Sequence, residues 1–191
     1  MISKALQFTN TSLNQFLKNK FGLSDDVVVT NRIIDQNGTV PVENQNKVII
    51  SIVHVGQETV KSFYNRNNRM ANGNYENKPV GERYNIYILI APNFEEYNET
   101  LKFLNASIQF FQINGALDAN TSSTIPKGIT RLEFEFEKGD GYLQMHNLWS
   151  ALGAKYQPSV IYKMKLISIA SNEVRSFEAE ITGTSNTTRN D

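Results

Sequence analysis

Ile2, Ala5, Leu6, Leu13, Phe16 and Leu17 recur at intervals of three and four across the first twenty residues, and Gly22 follows where a left-handed cap would close a helix. The spacing predicts an opening helix. Val27 to Ile34 is short and β-branched, Gln36-Asn37-Gly38-Thr39 reads as a turn, and Lys47 to Val55 (KVIISIVHV) is the most apolar run of strand length. The pattern predicts that these two strands pair as a long-looped hairpin. Residues 65–81, NRNNRMANGNYENKPVG, offer little to bury and read as an exposed, mobile loop. Arg83 to Ala91 sets Tyr84, Ile86, Ile88 and Ile90 on one face and Tyr87 and Leu89 on the other, a strand covered on both sides near the sheet centre, with Pro92 closing it. Phe94, Tyr97, Leu101, Leu104, Ile108 and Phe111 then step by threes and fours, predicting a second helix to about Ile113. At roughly 1.5 Å per residue it spans about 28 Å, enough to cover a sheet face. After a polar loop over residues 114–128, Leu132, Phe134 and Phe136 alternate with Glu133, Glu135 and Glu137, a strand with one wet face. A short helix over Leu143 to Leu152, a strand from Ser159 to Ile169 and a weaker strand from Val174 to Ile181 complete the set. The expected fold is α/β (α+β): one domain over residues 1–181, a mixed, mainly antiparallel sheet flanked by helices, followed by a polar C-terminal tail at 182–191.

Composition narrows the class. The chain has 191 residues, 40% of them hydrophobic and 20% charged, which supports one sizeable core. Nineteen basic side chains balance nineteen acidic ones, so no net field favours a nucleic acid or an anionic membrane surface, and neither is expected as a partner. Cysteine is absent, which removes disulfides, thiolate catalysis and the commonest structural zinc sites. The opening residues lack the basic and long apolar regions of a signal peptide, and no run approaches the roughly 18 apolar residues of a membrane span. An intracellular, soluble protein is expected. Sequons at Asn10, Asn98 and Asn186 follow from an Asn-rich composition.

Candidate chemistry is sparse. His54 sits in an apolar strand and His146 on the short helix, neither with a metal-spaced cluster around it. The glutamate row reads as a solvated strand face. Gly139-Asp140-Gly141 and the stretch from Asp35 to Val40 (DQNGTV) read as turns, since neither supplies the oxygen ligands and distal glutamate of a calcium loop. Phosphate-binding glycine motifs and a serine elbow are missing, so no catalytic residue, metal or cofactor is assigned and the chain is not expected to be an enzyme. What remains is HNLWSALGAKYQPSVIYKMKLISI, from His146 to Ile169. Leu148, Trp149 and Leu152 give the helix an apolar face, Gly153 caps it, and Pro158 imposes extended geometry before the next strand. Trp149, Lys155, Tyr156, Pro158 and Tyr162 thus crowd one turn; rigid aromatics beside a long cation suit a protein interface, and the alternative is a tyrosine packed over the helix end with Lys155 in water.

That segment, with MISKALQFTNTSLNQFLKNKFGL, NKVIISIVHV, YNIYILIAPNFEEYNETLKFLNASIQFFQ and the polar insert between them, resembles in order, over essentially the whole chain, a bacterial family first known as a domain of unknown function. It forms the N-terminal domain of the cap, or tail-terminator, protein of phage-tail-like contractile injection systems. Some members carry a further C-terminal domain. The resemblance implies a sheet with flanking helices assembled as a sixfold ring, homomeric or shared with a paralogous cap subunit, which closes the distal end of the inner tube and sheath. The implied partners are the sheath and inner-tube proteins of the same particle; the implied location is the bacterial cytoplasm during assembly and then the particle itself. Sheath subunits of such machines interlock by lending strands, so Val174, Phe177 and Ile181 are expected to lie on a strand offered to a sheath neighbour. An assembly chaperone, or a module binding a small ligand or peptide between the Asn-rich loop and the tyrosine turn, is the alternative.

Overall fold

A computed structural model describes residues 1–57, 67–69, 75–77, 83–118, 125–138, 142–168 and 177–178. Helix α1 (Ile2–Phe21) ends at Gly22, whose φ of 66° and ψ of 37° turn the chain while the Leu23 N–H donates to the Lys18 carbonyl at 3.1 Å. A left-handed residue at that position is cheap only for glycine. The chain then returns to strand β1 (Val28–Thr30), held by the buried Asn14 side chain. Its oxygen accepts the N–H groups of Val27 at 2.8 Å and Val28 at 3.2 Å, and its amide donates to the Asp26 carboxylate at 2.6 Å.

Strand β2 (Lys47–Gln57) runs parallel to β1, with Val28 opposite Val48 and Thr30 opposite Ile50, so the expected hairpin is corrected. Parallel neighbours need a crossover of about a dozen residues or more. Residues 31–46 provide it: a turn in which the Asp35 N–H donates to the Thr39 carbonyl, then a single 3-10 turn at Val42–Asn44. The first strand is correspondingly shorter than predicted, and Ile33 lies in the crossover, buried with Ile49, Leu89, Ala91 and Trp149.

Two units divide the chain: residues 1–58 with 83–168, and residues 59–82 with 169–191. In the second, strands β3 (Asn67–Arg69) and β4 (Tyr75–Asn77) form an antiparallel pair, so the segment expected to be a loop contains paired backbone. The first unit continues with β5 (Arg83–Asn93), helix α2 (Tyr97–Ile113), β6 (Ala116–Asp118), β7 (Ile129–Phe136), helix α3 (Tyr142–Leu152) and β8 (Val160–Ser168). Its sheet has the order β1-β2-β5-β8-β7-β6, antiparallel everywhere except β1–β2. The mixed, mainly antiparallel sheet flanked by helices is therefore the fold, and β5 is an inner strand. Ile86, Ile88 and Ile90 pack into the core shared with both long helices, while Leu89 and Ala91 join the core under α3.

Three further corrections concern details. Strand β5 runs through Pro92 to Asn93. Pro92 stands opposite Val48, whose N–H bonds outward to the Val27 carbonyl, so the missing proline N–H faces the β8 side, where pairing has already ended at Ile90 and Val160. The loop predicted over 114–128 contains β6, paired with β7. Helix α2 buries a different stripe from the one read off its spacing: Phe103, Ala106, Phe110 and Phe111 face inward, while Tyr97 and Leu101 are 62% and 41% exposed. Aromatic partners decide the phase. Phe103 stacks on Phe94 with ring centres 4.4 Å apart and meets Phe21 at 4.9 Å, and Phe110 meets Phe16 at 5.5 Å. Ser107 on the buried stripe donates to the Phe103 carbonyl at 2.8 Å, which lets a hydroxyl lie inside without an unmet bond.

Candidate functional site

The turn between α3 and β8 is built by local chemistry. Gly153 has φ of 68°, its N–H donates to the Ser150 carbonyl at 3.1 Å, and the Ala154 N–H donates to the Trp149 carbonyl at 3.2 Å. This is the two-bond helix stop that a left-handed glycine permits. Trp149 is 2% exposed, pressed against the second sheet face, and its indole N–H donates to the Ser159 hydroxyl at 3.2 Å. The Gln157 amide donates to the Asn93 side-chain oxygen at 2.9 Å, and the Asn93 amide donates to the Asn44 carbonyl at 3.0 Å. These bonds tie the turn to the end of β5 and to the crossover loop.

Between turn and crossover lies a cleft of about 350 Å³. Ile33, Ile34, Val40, Ile49 and Trp149 supply its apolar lining, and among the described residues Lys155 is the one charged residue in it. Tyr156 is 66% exposed, its ring edge-to-face with Trp149 at 6.0 Å, and Pro158 is half-buried. The structure thus places Trp149 and Lys155 in the cleft lining and Tyr156 against Trp149, with Pro158 following in the same turn. The lining from the crossover was missed at the sequence level; the pair Ile33-Ile34 in an otherwise polar stretch was the available signal.

Tyr162 does not belong to this site, a correction to its expected interface role. It is 3% exposed on the opposite sheet face, with its ring 4.3 Å from Phe111 and 5.5 Å from Phe136. Alternate residues of a strand point to opposite faces, and Tyr162 shares a face with its register partners Ile88 and Phe136. Burial pushes its phenol up to about 12. Val174 and Ile181 lie outside the described residues. Phe177 opens strand β9 (Phe177–Glu178), whose backbone pairs antiparallel with β4 in the second unit, completing a sheet of order β3-β4-β9.

The glutamate row is an ion-pair face. Glu135 meets Lys163 at 2.7 Å and Lys165 at 2.5 Å across the β7–β8 pair, and Glu133 meets Arg131 of its own strand at 2.8 Å. Hydrogen bonds from Lys163 and Lys165 hold the Glu135 carboxyl below its ordinary value, and the same contact raises Lys163. His54 and His146 are both exposed, His54 with its ring 5.5 Å from that of Tyr87. Among the described residues no group of three or more His, Asp or Glu side chains is placed to hold a metal ion. No described helix is long and apolar enough to cross a membrane.

A mixed sheet with two helices on one face and one on the other is a fold that this chain shares with two solved terminator structures. The chain belongs to the Pvc16 N-terminal domain family, whose model matches residues 8–182. Its fold is similar to the cryo-EM structure of the anti-feeding prophage cap, the AFP tube terminating cap, at a TM-score of 0.57 and 15% identity over 94% of this chain and 60% of that one. It is also similar to the PVC sheath/tube terminator of an extracellular contractile injection system in its extended state, at 0.55 and 15% over 95% of this chain and 63% of that one. The chain thus spans less than two thirds of the length of either terminator. No curated protein sequence matches it.

Proposed function

We propose that this chain is a structural cap of a contractile injection system, closing the distal end of tube and sheath as a ring, stopping their polymerisation and stabilising the extended sheath. The observation that carries the reading is a terminator-like fold along almost the whole chain, in a member of the Pvc16 N-terminal domain family. A helical tube or sheath grows through head-to-tail contacts that never close, so growth stops when a subunit matches the last layer on one side and offers no propagating surface on the other. A ring, taken here as sixfold, satisfies both conditions. Its partners would be sheath and inner-tube subunits, met through the turn with Trp149, Lys155, Tyr156 and Pro158 and through the strand segment Val174 to Ile181. Assembly in the bacterial cytoplasm would precede incorporation into the particle, and the chain would do no catalysis.

The test is deletion of this protein from the producing cell, followed by electron microscopy of purified particles. Long, irregular or sheathless particles are expected. Unchanged lengths and intact sheaths would remove the terminator reading.

A further inference from the structure

The cleft behind Trp149 has a chemistry that restricts what enters it. Its floor is apolar and rigid: Ile33, Ile49 and Trp149 are buried, and the indole is fixed through Ser159. Its volume of about 350 Å³ is at the small end for ligand sites, room for a large side chain and its backbone. Val40 and Lys155, both exposed, stand at its mouth. Among the described residues Lys155 has no ion-pair partner, whereas Arg32 is matched by Asp35 at 3.8 Å. Gln157 spends its amide N–H on Asn93, which leaves its carbonyl oxygen as an acceptor for a peptide N–H. An apolar wall, one side-chain acceptor and one cation without an ion-pair partner among the described residues together complement an apolar residue followed by an acidic one. The tail at 182–191 is not that occupant, because it carries no large apolar side chain.

We infer that this cleft anchors an extended segment of a partner protein, burying a branched apolar side chain against Trp149 and Ile49 while the next carboxylate pairs with Lys155. That the partner is a subunit of the particle rests on the terminator reading; the chemistry of the cleft does not. The design follows the usual economy of interfaces, in which a few buried anchors and a charge at the rim set affinity and choice of partner.

Trp149 is the single tryptophan of the chain and lines the cleft, so its emission reports occupancy directly. The intact protein is titrated at low ionic strength with the acetylated, amidated peptide GILDDG and with its lysine counterpart GILKKG. GILDDG is expected to change the emission saturably with a Kd near or below about 1 mM. GILKKG should bind at least roughly fivefold more weakly, and 0.5 M salt should shrink the difference. Lys155→Glu should invert the preference, and the uncharged Val40→Ser, at an exposed position, should weaken both peptides without lowering the melting temperature. No saturable change with either peptide, equal affinities, or an unchanged preference in K155E would overturn the inference. Particle length in the deletion strain reads the terminator role separately, so the failure of one is not mistaken for the failure of the other.

Discussion

Asn14 offers the sharpest test of how the fold is held. Replacing it with leucine keeps the volume and burial of the side chain but removes the one acceptor that serves two backbone donors. The N–H groups of Val27 and Val28, at 2.8 and 3.2 Å from the Asn14 oxygen, belong to residues that are each 7% exposed. A buried donor left unmet costs about 1–3 kcal/mol, and the longer of the two bonds belongs at the low end. Part of the loss is offset by the apolar burial of leucine, so a net loss of about 2–4 kcal/mol is expected for Asn14→Leu. That is a large share of the roughly 5–15 kcal/mol that holds a domain folded. Urea unfolding, followed in parallel by far-UV circular dichroism and Trp149 emission, should show the midpoint falling by about 1–2 M with an unchanged slope. A loss under about 0.5 kcal/mol would refute the claim that Asn14 carries the α1–β1 junction. Asn14→Asp separates acceptor from donor. It retains both backbone bonds but places a second carboxylate against Asp26, which the wild-type amide approaches at 2.6 Å. Hydrogen bonds from Asn14 and then Lys18 lower the Asp26 carboxyl in the wild type. Its contribution is therefore complete above the ordinary carboxylate value and is lost as pH falls through the lowered one. In the Asn14→Asp variant the two carboxylates raise one another, so stability should improve as pH falls through the carboxylate range.

Two further outcomes follow from titratable groups on the sheet. The buried phenol of Tyr162 stays protonated to about 12, against an ordinary value of 10.0 in the unfolded chain. Ionisation of Tyr162 leaves wild-type stability unaffected below about pH 10 and lowers it between about 10 and 12, where only the unfolded state ionises; Tyr162→Phe should change stability little at pH 7 and flatten that fall. Equal losses in both proteins between pH 8 and pH 11, read from urea midpoints, would contradict it. Glu135 is held below 4.5 by Lys163 and Lys165, so its contribution is present above that value and disappears as pH drops through the lowered one. Because the group is about half exposed, Glu135→Gln should cost no more than about 1 kcal/mol at pH 7 and should reduce the acid-side slope of the melting temperature.

The elements legible from the sequence were those whose pattern has one period and a clear stop. Gly22 and Gly153 ended α1 and α3 where expected because a left-handed residue at a helix terminus is a local requirement. The isoleucines of β5 announced an inner strand because alternating residues on both faces were apolar. In the site, Trp149 and the cap at Gly153 were readable for the same reason, while Ile33, Ile34 and Val40 were not, since they reach the cleft from a crossover distant in sequence. Tyr162 was misassigned because nearness to Tyr156 in the chain says nothing about the sheet face, which the strand register fixes.

The sequence alone thus determined the helices, the long strands, their caps and the lack of any metal-spaced or nucleophilic motif, all properties of short windows of side chains. Tertiary structure decided the rest. The stripe Tyr97, Leu101, Leu104, Ile108 satisfied helical spacing as well as the stripe through Phe103 and Phe110, and only contact with Phe16, Phe21 and Phe94 chose between them. The parallel pairing of β1 with β2, and the short pairs formed by β3, β4, β6 and β9, rest on backbone hydrogen bonds that most residue types can make, so side-chain pattern carries no record of the partner.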